Sequence, residues 1–177
     1  SKRIVIKVGS ALISSDNKNL INEIIVNSIV KEIIKLNEAE KEILLVSSGA
    51  LALGKKSLNL KKNNLKVSEK QAASSVGQVL LINAWKKAFL KYKKQCGQIL
   101  LTHLDAEIRS SAINARNTIE SLLKLNIIPI INENDSVATQ ELRYGDNDQL
   151  AARVAQITSS NLLIILSDVD GLYTSNP

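Results

Sequence analysis

The stretch Arg3-Ile4-Val5-Ile6-Lys7-Val8-Gly9-Ser10 decides the fold. Four of its residues are β-branched, stiff at χ1 and well suited to a pleated surface. Lys7 alone interrupts them. A continuous apolar run, rather than an alternating one, marks a strand covered on both faces, as in a parallel sheet. Runs of the same kind recur along the chain. With Arg3–Val8 they are Glu42–Val46, Gln98–Leu101, Ile127–Ile131 and Leu162–Leu166.

The segments between these runs carry helical signals. Asn22–Asn37 places Ile25, Ile29 and Ile33 in helical register, and Leu36 continues the face. Ser68-Glu69-Lys70-Gln71 has the spacing of a capping box and predicts a helix start there. That helical region runs to about Lys94, with Gly77 the point where it would break. Asn114–Leu125 and Asp148–Thr158 are the next two helices. Strand, helix, strand in repetition predicts an α/β fold: a layered α-β-α sandwich on a mostly parallel sheet, with right-handed crossovers. Leu58–Lys66 reads as an exposed excursion.

Length and composition agree with one compact domain. The 177 residues are 45% hydrophobic and 23% charged, which excludes disorder as the main state. Aromatics are only 3%, so the core must be aliphatic. The single cysteine, Cys96, excludes an intramolecular disulfide and a cysteine-built zinc site, and fits a reducing cytoplasm. No apolar run approaches the ~20 residues of a membrane span. The start, Lys2-Arg3 before a short run broken by Lys7, does not read as a secretory signal.

In parallel sheets, ligands bind beyond the carboxyl ends of the strands. The residues just after each run are Gly9-Ser10, Ser47-Ser48-Gly49-Ala50, Thr102-His103, Asn132-Glu133-Asn134-Asp135 and Ser167-Asp168. Most are small or polar, as a polar small-molecule site requires. Lys7, at the end of a buried strand, is costly to desolvate unless it meets an anion; a lysine snorkelling to water is the alternative. Gly9 would let backbone approach a phosphate and aim its N–H at it. Ser48-Gly49-Ala50 opens a helix whose first N–H groups suit an anion, or is an ordinary serine cap. Asp135 beside two amides suits an amino-acid ligand, or an Asx-rich turn. Asp148, in Gly145-Asp146-Asn147-Asp148, suits the orientation of cationic side chains, or glycine-turn capping.

Other signals are weaker. Gly49 to Lys55 matches the start of a Walker loop, but Lys56 stands where Ser or Thr should be and Ala50-Leu51-Ala52-Leu53 favours helix. His103, the only histidine, is not read as catalytic. Trp85, Phe89 and Tyr92 share one helix face, which points to core or interface. Lys86, Lys87, Lys91, Lys93 and Lys94 read as a solvated basic face, and the net charge of +6 does not require a nucleic-acid partner.

In combination, Lys7-Val8-Gly9-Ser10, Ser48-Gly49-Ala50, Gln71-Ala72-Ala73 through Val76-Gly77-Gln78, Asn132 to Asp135, Gly145 to Asp148, and Ser167-Asp168 through Gly171-Leu172-Tyr173 resemble the glutamate 5-kinases of the amino acid kinase family. The resemblance spans nearly the whole chain. It implies transfer of a phosphoryl group from ATP, with Mg2+, to the γ-carboxylate of L-glutamate in proline synthesis. It implies Lys7 as the contact to ATP phosphates and Asp148 as organiser of catalytic lysines. Ser48, Asp135 and Asn147 would bind glutamate. Gly9, Gly49, Ser167 and Asp168 would lie at the nucleotide; no metal ligand is assigned. A homo-oligomer in the cytoplasm, with proline as a feedback ligand, is also implied. The family's nucleotide half, with a second catalytic lysine, has no counterpart before Pro177. Residues 1–177 therefore read as the substrate-binding, N-terminal portion of one kinase domain. The rival expectation is a catalytically inactive module that binds glutamate and self-associates.

Overall fold

A computed structural model describes residues 2–15, 20–60, 64–137 and 146–168. Strands form at each of the apolar runs: β1 (Arg3–Val8), β2 (Glu42–Ser47), β3 (Cys96–Leu101), β4 (Ile128–Glu133) and β5 (Leu162–Leu166). They make one sheet in the order β3-β4-β2-β1-β5, and every pairing is parallel. The helices are α1 (Ser10–Ile13), α2 (Glu23–Glu38), α3 (Ala50–Ser57), α4 (Val67–Leu90), α5 (His103–Glu107), α6 (Arg109–Lys124) and α7 (Asp146–Ile157).

The pleat sorts the strand residues between two apolar layers. Ile4, Ile6, Val8, Ile43, Leu45, Ile128 and Ile130 face α2, α3 and α4, where Val30, Ile33, Leu53, Leu81, Trp85 and Phe89 are buried. Val5, Leu44, Val46, Ile99 and Ile131 face α6 and α7, where Ile119, Leu150 and Val154 are buried. This is the layered α-β-α sandwich that the alternation of strands and helices predicts. The core is aliphatic, with Trp85 and Phe89 its large aromatic members, ring centroids 6.4 Å apart. Tyr92 lies past the end of α4 and is exposed, so the aromatic face is core for two of its three residues.

Several expectations need correction. Among the described residues β5 is the last strand on its side of the sheet, and Leu162 and Ile165 are exposed. The start of α4 falls at Val67, not at Ser68-Gln71: Glu69 reaches back to the N–H of Lys66 at 2.7 Å. The lysine side chain has no acceptor to return the bond, so only half of a capping box forms. α4 does not break at Gly77. There a glycine is needed for closeness: a Cβ at Gly77 would lie 1.8 Å from the Ala50 carbonyl oxygen, and one at Gly54 would lie 1.7 Å from that of Ala73. The backbones of α3 and α4 therefore touch. α6 begins at Arg109 and α7 at Asp146, earlier than their apolar periodicity suggests, while α4 ends at Leu90. Leu58–Lys66 is only partly an excursion, since Leu65 is buried; its residues 61–63 lie outside the described set.

At the amino ends of the strands, Arg3 ties three segments together. Its guanidinium donates to Glu42 at 2.9 Å, to Glu120 of α6 at 2.6 Å and to the Thr158 carbonyl at 2.6 Å. Those bonds hold the Glu120 carboxyl below the usual carboxylate range. The opposite, carboxyl end is thereby left for the polar residues.

Candidate active site

The connections explain where the site lies. After β2 the chain enters α3 on one face of the sheet; after β4 it enters α7 on the other. β2 and β4 are neighbours. Departing in opposite directions, they leave a crevice between their carboxyl ends, the topological switch point at which open α/β sheets bind ligands.

Polar side chains from four elements meet there. Asn147, in the first turn of α7, donates through Nδ2 to Ser48 Oγ at 2.8 Å and to Asn132 Oδ1 at 3.1 Å. Asn132, at the end of β4, donates through its own Nδ2 to Gln78 Oε1 of α4 at 2.6 Å. Asn132 Oδ1 also accepts the Glu133 N–H at 2.9 Å. The chain of amides joins both faces of the sheet across the crevice. The Asn147 Oδ1 atom is buried and has no hydrogen-bond partner among the described residues. A buried acceptor of that kind suits a cationic or N–H donor on a ligand.

The next residue of α7 serves a second purpose. Asp148 Oδ1 is buried and stands 2.6 Å from Lys7 Nζ. Lys7 is 8% exposed and sits on the α7 face of β1, because it shares the pleat parity of Val5. Its charge is partnered rather than snorkelled to water. A Cβ on Gly9 would come within 3.7 Å of Lys7 Nζ, so the missing side chain keeps the ammonium approachable. Asp146 and Asn147 are helical with Asp148, so Asp148 is not the cap that a glycine turn suggests. A carboxylate in the first turn is favourable at a helix N-terminus as well as beside Lys7.

Gly49 adopts φ 112°, which favours glycine, and turns the chain from β2 into α3. The first N–H groups of α3 have no intrahelical acceptor and open near Ser48. Gly9 corrects an expectation: its N–H is given to the Leu166 carbonyl at 2.9 Å, so it offers space and not a donor. Ser167 and Asp168 follow β5, exposed, with Ser167 Oγ 3.2 Å from Asp168 Oδ1. They lie at the same end of the sheet as Lys7, and among the described residues no hydrogen bond or ion pair joins them to it. Asp135 lies beyond β4, where it lines a cavity of about 210 Å³ with Ser74, Ser75, Gln78, Glu133 and others. Thr102 caps α5, and its hydroxyl and N–H hold the Asp105 carboxyl below its ordinary range. The helical state of Ala50–Ser57 removes the Walker-loop reading, and Lys56 Nζ instead reaches the Ser15 carbonyl at 2.7 Å. Burial pushes the Cys96 thiol up, away from nucleophilic use. Gly145 and Gly171-Leu172-Tyr173, which also carry the resemblance, lie outside the described residues. Asn132 and Gln78 have no individual role in the sequence reading. Their signal is faint: an amide at a strand end, and a glutamine one turn past Ser74.

A buried lysine aimed at a crevice, steadied by a carboxylate beside a ring of amides, is a site for a small anionic substrate on a doubly wound sheet. Among known proteins, the amino acid kinase family matches residues 2–177, and the chain belongs to it. The glutamate 5-kinase of Pelagibacter ubique is 50% identical over 177 residues, all of this chain and 48% of that protein. That of Caulobacter vibrioides is 48% identical over 177 residues, and that of Agrobacterium fabrum 51% over 175. The chain spans about half the length of these curated relatives, their N-terminal part. Two solved structures share the fold. The UMP kinase from Ureaplasma parvum superposes with a TM-score of 0.63 at 19% identity, covering 98% of this chain and 72% of that one. Carbamate kinase from Giardia lamblia bound to AMP-PNP gives 0.59 at 16%, covering 95% and 71%.

Proposed function

We propose that the natural protein containing this chain is a glutamate 5-kinase, and that residues 1–177 are the acceptor-binding, N-terminal portion of its kinase domain. One observation carries the reading most: adjacent residues of α7, Asn147 and Asp148, tie the amide cluster of the crevice to Lys7. Acceptor and phosphoryl charge would thus be held by one rigid turn.

The residues fit the groups they would meet. Lys7 supplies a buried ammonium, Gly9 the space beside it, and Gly49 with α3 a set of unpaired N–H donors for anionic oxygens. Ser167 and Asp168 stand at the end of β5 for the remainder of the nucleotide. ATP would supply the transferable phosphoryl group, and Mg2+ would offset the negative charge of its phosphates. Among the described residues there is no cluster of three His, Cys, Asp or Glu side chains.

The acceptor carboxylate is itself the nucleophile, so the chain needs position and positive charge rather than a nucleophilic side chain. Lys7, little exposed to water, attracts charge on the moving phosphoryl group more strongly than a surface lysine would. Asp148 keeps the ammonium pointed at the crevice. Ser48, Asn147 and Asp135 hold the amino acid, the Asp135 carboxylate suiting an α-ammonium. Proline feedback, self-association and a cytoplasmic setting belong to the same proposal and rest on the resemblance and relatives alone. No helix among the described residues is long and apolar enough to cross a membrane. The test is direct. The full-length natural product, given L-glutamate, ATP and Mg2+, should release ADP only when glutamate is present; glutamate-independent release or none would refute the proposal.

A further inference from the structure

Four hydroxyls on or just past the helices bond back to their own backbone. Ser75, Thr118, Ser121 and Thr158 each donate to the carbonyl four residues earlier, at 2.9, 3.0, 2.9 and 2.6 Å. Ser74 does not. It is 2% exposed, and its Oγ has no hydrogen-bond partner among the described residues. A buried, unpaired hydroxyl costs stability that an alanine would not. The side chain lines the cavity of about 210 Å³ between α4 and the ends of β3 and β4. That is less than the roughly 300–1,000 Å³ of a drug-sized pocket and suits an amino acid.

Gln78 lies one turn further along α4 and lines the same cavity. Its Oε1 is taken by Asn132 Nδ2 at 2.6 Å, which leaves the Nε2 hydrogens as donors on that wall. Glu133 and Asp135 line the same cavity. The lining therefore carries both donors and carboxylates, the two kinds of group that a zwitterionic amino-acid head requires. We propose that Ser74 and Gln78 are specificity-determining residues, donating hydrogen bonds to the α-carboxylate of the acceptor amino acid. The inference rests on the acceptor-site reading above and adds the residues that select its carboxylate end.

The experiment is calorimetric titration of the full-length natural product with L-glutamate, combined with thermal unfolding in glutamate and in 4-aminobutanoate, which lacks the α-carboxylate. Ser74→Ala should leave the ligand-free Tm unchanged or higher. It should weaken glutamate binding about tenfold to a hundredfold, the loss of one hydrogen bond to a charged group. The shift in Tm given by 4-aminobutanoate should be the same in Ser74→Ala as in wild type. Gln78→Glu retains an acceptor for Asn132 but replaces the donor by a negative charge, and should weaken glutamate at least as much. An unchanged glutamate Kd in Ser74→Ala overturns the inference, as does a fall in ligand-free Tm that accompanies the loss, or an equal loss with 4-aminobutanoate. A wild-type protein that takes up no glutamate refutes the acceptor-site reading itself, and this inference with it.

Discussion

Gly77→Ala separates helix propensity from tertiary packing. In an isolated helix, alanine is better than glycine by about 1 kcal/mol, so the substitution should stabilise α4. The structure reverses the sign. The added Cβ would lie 1.8 Å from the Ala50 carbonyl oxygen and 2.6 Å from the Gly54 nitrogen, both backbone atoms of α3. Neither can rotate away. Bringing the first contact to an ordinary separation parts the helices by more than about 1 Å, which opens the layer they share. Overpacking of this kind costs typically 1–3 kcal/mol, and the backbone clash puts it at the upper end. After the propensity gain, a net loss of about 2 kcal/mol remains. For a domain of this size that lowers Tm by roughly 4–8 °C. α3 begins at Ala50, directly after Ser48 and Gly49, so glutamate binding should weaken as well. Urea and thermal unfolding, with calorimetry for glutamate, give both readouts. A Tm equal to or above wild type would show that α3 and α4 do not touch in solution as described, and would refute the reasoning.

Asp148→Asn should lower turnover about a hundredfold or more, because the side chain orients Lys7, and should also lower Tm, because the buried ammonium loses its carboxylate; wild-type turnover would remove its assigned role. Asp135→Ala should raise KM for glutamate about tenfold without moving KM for ATP, and equal effects in steady-state kinetics would remove its assigned role. Trp85→Phe deprives the buried Ser47 hydroxyl of the indole N–H now 2.8 Å away and should cost about 1–2 kcal/mol in urea unfolding. Glu120 has a depressed carboxyl, chiefly from its Arg3 hydrogen bond, so its contribution is present above the ordinary range near 4.5 and lost as pH falls through the folded value. Glu120→Gln should therefore flatten the acid limb of stability against pH, and an acid limb as steep as in wild type would exclude that contribution.

The strands were legible because short runs dense in β-branched residues, such as Ile4-Val5-Ile6 with Val8, say the same thing locally and globally. Lys7 was legible for the opposite reason, as the one residue that contradicts its strand. Ser48, Asn147 and Asp148 could be picked out by position and resemblance. Their meeting could not, since Ser48 and Asn147 are 99 residues apart. Ser74 gave no signal of its own: a serine in a helix is ordinary until its hydroxyl is found buried without a hydrogen-bond partner.

By itself the sequence determined the elements, their succession along the chain and the polar character of their carboxyl ends. Each of these follows from neighbours within a turn or two. Only the tertiary structure decided that β2 lies between β1 and β4, and that Gly77 brings α3 and α4 into backbone contact instead of breaking α4. It also committed the Gly9 N–H to Leu166 and delivered Asp148 to Lys7. These depend on distances between segments remote in sequence, where hard-core contact and hydrogen-bond geometry, and not local propensity, set the outcome.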